Sequence, residues 1–426
     1  MEILSDQHTE KFVEHLFRQQ SGKMSSVLIR IFGFQPLELI EDIIQETFLT
    51  ALKQWGMKGV PDNPEAWLML VAKNKIINEL KRRKKVSRAN DEAFTEQQQQ
   101  HIDELFLDHE IEDSQLKIVV ACCIPDLDPK TRIMFILKYV AGFGDKEISR
   151  ALLMKPETIK KRVYRARKKL SKKEFRLDDI TKNDITERLD PVLQVLYLMF
   201  NEGYKKTIGD DLLDEDLCFE AIRITKILTG DSVVDTGKVH ALLSLMFFHV
   251  SRFPSRINNI GGLVDLRSQD RSLWNKELID AGLLHLMFSR ESNELSKYHL
   301  LSTILAIHST APAFEFTDWE NIITCYDRLL TVEDSFPVRL NRVIAISWQS
   351  GAEAGLKELF GLKESIPEGY SLYFYAAKAE MFERLKNYQR ARSYYEVARD
   401  FAIHSKDQEY LNSKISTCDT LNIHSN

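Results

Sequence analysis

Residues 144–170 read GDKEISRALLMKPETIKKRVYRARKKL, and the organisation of the chain can be worked out from this stretch. A short helix is predicted over Lys146–Leu152, then a tight turn. A second helix starts near Pro156, whose fixed φ suits a first helical position. In that second helix Ile159, Val163, Ala166 and Leu170 recur at three- and four-residue intervals and form a buried stripe. The other faces carry Lys160, Lys161, Arg162, Arg165, Arg167, Lys168 and Lys169. Between Lys155 and Lys173 ten residues are basic and one, Glu157, is acidic. A helix-turn-helix lays its second helix in the major groove, with early side chains on base edges and later basic ones on phosphates. On that reading Glu157, Thr158, Lys160 and Lys161 lie nearest the bases. Arg162, Arg165 and Lys168 hold mainly the backbone. A solvated basic helix is the bland alternative; the coincidence of turn, stripe and basic face weighs against it. One departure stands out. Many such turns carry a glycine at positive φ, whereas Leu153 or Met154 occupies the place here.

Upstream, Ile40, Ile43, Ile44, Phe48, Ala51, Leu52 and Trp55 give helical spacing over Leu37–Trp55. GMKGVPDNP (Gly56–Pro64) is a breaker-rich loop. Asn63 caps a further helix with Pro64 in its first position and Trp67, Leu68, Val71, Ala72, Ile76 and Leu80 on one side. That helix ends in KRRKK (Lys81–Lys85). Its basic cluster, Lys73 to Arg88 with Glu79 as the one acid, is weak evidence alone, since the helix dipole favours cations at a C-terminus. It gains weight beside a second DNA-binding unit. Trp55 and Trp67 suit stacking on unpaired bases, yet both fall on the apolar stripe and read as core. Residues 86–113, with the run Gln97–Gln100 and many acids, read as a linker, partly ordered at most.

Downstream, amphipathic helices are predicted at Val192–Phe200, Leu217–Leu228, His240–Val250, Lys276–Phe288, Lys297–His308, Trp319–Leu330 and Leu340–Trp348. AKAEMFERLKNYQRARSYYEVA (Ala377–Ala398) reads as two helices joined at Leu385-Lys386-Asn387. Its Ala391, Tyr394, Tyr395 and Ala398 are spaced as in a tetratricopeptide repeat, with a looser partner around Asn341–Phe360. A repeat pair and a plain helical hairpin both fit.

The bulk properties agree. The chain has 426 residues, 44% hydrophobic and 28% charged, which implies globular composition and several domains. Met1–Arg176 holds 31 Lys and Arg against 26 Asp and Glu; the rest holds 27 against 37. Only the basic front is expected to meet a polyanion. The five scattered cysteines read as buried free thiols in a reducing compartment. With no signal pattern and no apolar run long enough to span a bilayer, a cytoplasmic protein without membrane contact is expected. Polar residues of the rear half such as Asn201, Glu202, Arg252, Asp270 and Arg342 form no phosphate loop, catalytic triad or metal set. No enzyme, cofactor, metal site or catalytic residue is expected.

The motifs carry a resemblance. EDIIQETFLTALKQW (Glu41–Trp55) resembles the helix by which sigma factors hold the polymerase clamp. NPEAWLMLVAKNKIINELKRRKK (Asn63–Lys85) resembles their promoter-melting helix, and residues 144–170 resemble the sigma domain that reads the upstream promoter element. Without the middle domain of housekeeping factors, the chain is similar to the extracytoplasmic-function (ECF) group. RLDPVLQVLYLMFNEGY (Arg188–Tyr204), DLCFEAIRI (Asp216–Ile224), SQDRSLWN (Ser268–Asn275), TDWENIITCYDRLL (Thr317–Leu330) and PVRLNRVIAI (Pro337–Ile346) resemble the extension of a subgroup with a C-terminal tetratricopeptide-like domain.

The resemblance implies an all-α chain: two small helical sigma domains, the second a helix-turn-helix, joined by a linker and followed by a larger C-terminal helical, TPR-like domain. The segments are 8–86, a linker at 87–113, 114–174, and the extension at 186–290 and 291–420. The resemblance assigns Asp42, Gln45 and Glu46 to the clamp, and the loop Gly56–Asn63 to a flipped base of the minus-ten element. It assigns Asn74, Asn78, Lys81 and Arg82 to melting DNA, and Thr158, Lys160, Lys161, Arg162 and Arg165 to the minus-thirty-five element. Core RNA polymerase and promoter DNA are the implied partners. A protein, peptide or small-molecule effector is expected for the rear domain. The competing reading is a stand-alone helix-turn-helix regulator with an effector-binding helical domain.

Overall fold

The structure is a computed structural model. It describes residues 6–86, 96–152, 154–172, 176–204, 213–230, 236–257, 264–291, 294–363, 366–367, 369–403 and 405–423. Among these there is no extended strand. The chain divides into two compact units: unit 1 holds residues 1–199 and 219–234, unit 2 holds 200–218 and 235–426.

Unit 1 begins with α1 (Asp6–Phe32), α2 (Leu37–Lys58) and α3 (Pro64–Val86). The predicted stripe of α2 is buried at Ile40, Ile43, Ile44, Phe48, Ala51 and Trp55, while Leu52 is largely exposed. Helix α2 runs three residues past Trp55 into the expected loop. It stops at Gly59, whose φ of 81° costs a glycine little. Asn63 Oδ1 accepts the Ala66 amide at 3.0 Å and starts α3, as its place before Pro64 predicts. Trp55 is buried in the core and meets half-buried Trp67 edge-to-face at 5.3 Å.

The expected linker differs from the prediction. Residues 87–95 lie outside the described residues, but α4 (Glu96–Leu105) and α5 (Asp108–Cys122) are helices. Leu105 and Ile111 bury against Val27 of α1, and Ile102 is buried too. Three apolar residues were hidden among glutamines and acids, which are themselves good helix formers. Helices α6 (Pro129–Tyr139), α7 (Asp145–Leu152) and α8 (Pro156–Ser171) complete the second sigma-like bundle, and α9 (Lys182–Glu187) follows.

The two bundles of unit 1 are packed together. Gly22 of α1 lies so close to the α6 C-terminus that a Cβ there would fall 2.2 Å from the Val140 carbonyl oxygen. Ser26 Oγ donates to Tyr139 O at 3.3 Å, and Ser21 Oγ to Gly142 O at 3.2 Å. Arg30 bridges Asp178, Glu110 and Asp113 at 2.6, 2.8 and 3.1 Å. Burial works against its charge, but these carboxylates hold its pKa above the usual value.

Helices α10 (Leu189–Tyr204) and α11 (Glu215–Ile227) each run across a unit boundary. In unit 2, α12 (Gly237–Val250) is buried along nearly its whole length. After the short α13 (Phe253–Arg256), α14 (Lys276–Phe288) packs on α12 where Gly282 leaves room for Phe248. Ser244 Oγ donates to Gly282 O at 2.8 Å. Then come α15 (Lys297–Thr310), α16 (Trp319–Val332), α17 (Phe336–Gln349), α18 (Ala352–Leu362), α19 (Ser371–Arg384), α20 (Tyr388–Asp400) and α21 (Ser405–Ile423), each packed on its neighbour in sequence. The turn between α19 and α20 sits at Leu385-Lys386-Asn387. Lys386 takes φ 60° and Asn387 caps α20 by accepting the Arg390 amide. Ala391, Tyr395 and Ala398 are buried. All five cysteines are free; Cys325 is half-buried and the other four are buried.

Candidate nucleic-acid interface

Helix α7 holds the expected first position of the motif and α8 the second. Leu153 lies outside the described residues. Met154 is not at positive φ, so no glycine is needed there. The turn is tied instead by Ser149, whose hydroxyl donates to the Met154 carbonyl at 2.6 Å. Pro156 fills the first helical position of α8. Ile159, Val163, Ala166 and Leu170 are all buried, so the stripe rotates the basic residues outward.

Glu157, Lys160, Lys161, Arg165 and Lys168 are exposed, and Thr158 and Arg162 are half-buried. Among the described residues, Lys160, Lys161, Arg165 and Lys168 have no carboxylate within ion-pair distance. Two other basic residues are engaged: Arg162 with Asp128 at 3.2 Å and Arg167 with Glu38 of α2 at 2.9 Å. Lys169 Nζ donates to the Asp126 carbonyl. Beside α8 and the start of α6 lies a cleft of about 410 Å³ edged by Arg162, Arg165, Lys168, Lys169 and Lys172. Its one acid is Asp128, the N-cap of α6. Burial opposes ionisation of Asp128, but Thr131 and Arg162 outweigh it and hold its carboxyl below the usual range. Clustered cations around a groove of this kind favour phosphate oxygens.

On α3, Asn74, Asn78, Lys81 and Arg82 are exposed along one face. Arg82 is held by Glu79 at 2.8 Å, one turn back. The side chains of Arg83, Lys84 and Lys85 are not among those described, and Arg88 lies outside the described residues. A cleft of about 470 Å³ beside the loop before α3 is lined by Lys23, Asn63, Met69, Leu70 and Lys73 among others. That is enough room for a planar base. On α2, Asp42, Gln45 and Glu46 are exposed, and Glu46 is paired with Lys75 at 3.0 Å.

The sequence reading missed the polar seam that joins α2 to α6. Tyr139 Oη donates to Glu41 at 2.9 Å, and Lys138 bridges Glu41 at 3.3 Å and Asp145 at 2.9 Å. Burial, then Glu41, pushes the Tyr139 phenol well up. No local pattern announces the contacts to Glu41, which lies 98 residues from Tyr139. In the rear half, several of the polar residues weighed for chemistry are engaged by neighbouring side chains. Arg342 reaches Asp327 at 2.5 Å, and Arg223 is held by Glu220 at 2.6 Å. His240 and His285 meet through their Nδ1 atoms at 2.8 Å. Among the described residues no group of His, Cys, Asp and Glu is arranged to hold a metal, and no helix is long and apolar enough to cross a membrane.

Comparison with known proteins gives three family matches. Residues 16–86 match sigma-70 region 2, residues 118–170 match sigma-70 region 4, and residues 188–290 match a family of unknown function, DUF6596. An uncharacterized protein of Rhizobium meliloti (strain 1021) is 29% identical over 386 residues, covering 90% of each chain. No solved structure matches the chain significantly. The two sigma-70 matches fall on the two bundles that carry the basic helices α3 and α8. Sigma-70 domains of this kind interact with core RNA polymerase and promoter DNA, and sigma factors are non-catalytic initiation factors. Regions 2 and 4 in this order, with the DUF6596 segment behind them, indicate an ECF-like RNA polymerase sigma factor with a fused C-terminal domain.

Proposed function

We propose a residue-level division of labour for this sigma factor. Asp42, Gln45 and Glu46 contact the polymerase clamp. The loop before Asn63, with its neighbouring cleft, captures a base of the minus-ten element. Asn74, Asn78, Lys81 and Arg82 follow the melted strand. Glu157, Thr158, Lys160 and Lys161 read base edges of the minus-thirty-five element, while Arg162, Arg165 and Lys168 hold its phosphates. The observation that carries this is the outward, carboxylate-free placement of Lys160, Lys161, Arg165 and Lys168 on a helix whose apolar stripe is fully buried. Arg167, by contrast, is turned to Glu38 of α2.

The rear unit acts as a fused regulator without catalysis of its own, binding a peptide, protein or small molecule that alters use of the front domains; the protein works in the cytoplasm. Affinity capture of core polymerase tests the clamp assignment. Asp42→Lys with Glu46→Lys should abolish capture while duplex binding by α8 persists. Undiminished capture would refute the assignment.

A further inference from the structure

Unit 2 contains a cavity of about 1020 Å³ between α15, α16, α17, α19, α21 and the turn at 265–268. One wall is aromatic. Trp319 and Trp348 stack at 6.0 Å with a 17° interplanar angle, and Phe314 meets Trp348 edge-on at 4.8 Å. The other wall is charged, with Asp265, Glu380 and Glu383 set among Arg267, Arg384 and Lys414. Asp265 accepts the Ser268 amide at 2.9 Å and the Tyr410 hydroxyl at 3.5 Å. Glu383 accepts the Tyr395 hydroxyl at 2.6 Å and faces Lys414 at 3.8 Å. Arg384 donates to the carbonyl and hydroxyl of Ser347 at 2.7 and 3.0 Å and lies 3.6 Å over the Trp348 ring.

Among the carboxylates, Glu380 is the exception. It lines the cavity from α19, largely buried, and makes no hydrogen bond or ion pair with any described residue. An ionised carboxylate in such a place is costly unless a counter-charge arrives. Aromatic faces beside it also favour a cation. We propose that this cavity binds a ligand carrying an ammonium or guanidinium group on an apolar stem, with Glu380 as its counter-charge and the Trp319–Trp348 wall packing the stem.

The groups facing Glu380 are Lys414 of α21, Arg384 and Glu383 of its own helix, Asp265 of the preceding turn, and the phenols Tyr395 and Tyr410. Burial raises its pKa, with Asp265 and Glu383 adding to the rise and Lys414 and Arg384 opposing it. A bound cation favours the ionised form. Affinity therefore rises with pH as the empty site loses its proton, and levels off above that range.

This names the ligand class within the effector reading given above and rests on it only for its regulatory consequence. Isothermal titration calorimetry on the full chain tests it, with hexylamine, hexanol, and blocked tripeptides carrying lysine or norleucine. Hexylamine should bind at least tenfold tighter than hexanol, or the lysine peptide tenfold tighter than its norleucine twin, with affinity rising with pH. Which amine binds better tells a free amine from a basic peptide. Glu380→Gln should remove both the preference and the pH dependence. Tyr373→Ala, at a wall residue 40% exposed, should weaken binding severalfold and leave the pH dependence intact. Equal affinity for hexanol, a retained preference in E380Q, or no binding of either amine at millimolar concentration would overturn the assignment. Run-off transcription is read separately. An amine that binds without changing transcript yield refutes the regulatory role alone.

Discussion

Lys160 and Arg165 are both exposed and, among the described residues, have no carboxylate within ion-pair distance. Each is expected to neutralise about one phosphate or hold one base, so each alanine substitution should weaken duplex binding by roughly 1–3 kcal/mol. If the contact is to phosphate, the slope of log affinity against log salt should fall by about 1. Fluorescence anisotropy over a salt series reads both. Asp128 gives a second case. It caps α6, and loss of that cap should cost about 1 kcal/mol in Asp128→Ala, measured by denaturant unfolding. Its folded pKa is depressed, so its contribution is fully present above the unfolded carboxylate pKa of about 3.9. The contribution is lost as pH falls through the folded value. The wild-type chain should therefore lose more stability between neutral pH and strong acid than D128A does.

At the scale of elements, close helix packing depends on a few glycines. A Cβ at Gly22 would meet the Val140 carbonyl at 2.2 Å, and one at Gly355 would meet Ser347 Cβ at 2.3 Å. Neither neighbour can swing away, because one is backbone and the other sits at the root of a side chain. Gly22→Ala and Gly355→Ala should each destabilise their own unit by about 1–3 kcal/mol in thermal or denaturant melts. Helices with strong periodicity were legible in the sequence: the α8 stripe, the Pro64 start of α3, the Lys276–Phe288 span and the turn at Lys386 stand where the spacing predicts. What was not legible depended on distant partners. Helices α4 and α5 hide three core residues in a polar stretch, and α1 and α3, far upstream, supply their packing partners. Glu41 and Tyr139 form one seam from two remote segments. The exposure of the named DNA-facing residues followed from the stripe. The Arg162–Asp128, Arg82–Glu79 and Lys75–Glu46 pairs that compete for some of them did not.

For the molecule as a whole, the packing of the two sigma bundles in unit 1 has a consequence. The minus-ten and minus-thirty-five elements proposed for α3 and α8 stand, by the positions that name them, about 25 base pairs apart, roughly 85 Å along a duplex at 3.4 Å per base pair. A compact body of about 215 residues has a radius of gyration near 17 Å, too small to cover both. On the proposed assignment the bundles separate on polymerase, breaking the Tyr139–Glu41 and Arg167–Glu38 contacts. Exposed surface ion pairs of the latter kind contribute little; the buried fit around Gly22 is the larger barrier. Energy transfer between dyes at exposed Met57 and Tyr164 should be high in the free chain and drop in the promoter complex. An unchanged signal would contradict the separation.

The central claim is that this chain gives core polymerase a promoter through two basic helices. Run-off transcription with purified core polymerase, a genomic promoter library and the full chain tests it most directly. The expected result is discrete transcripts that appear only with the added chain and vanish when Lys160 and Arg165 are replaced together. Duplex binding with no transcript from any template would contradict the account.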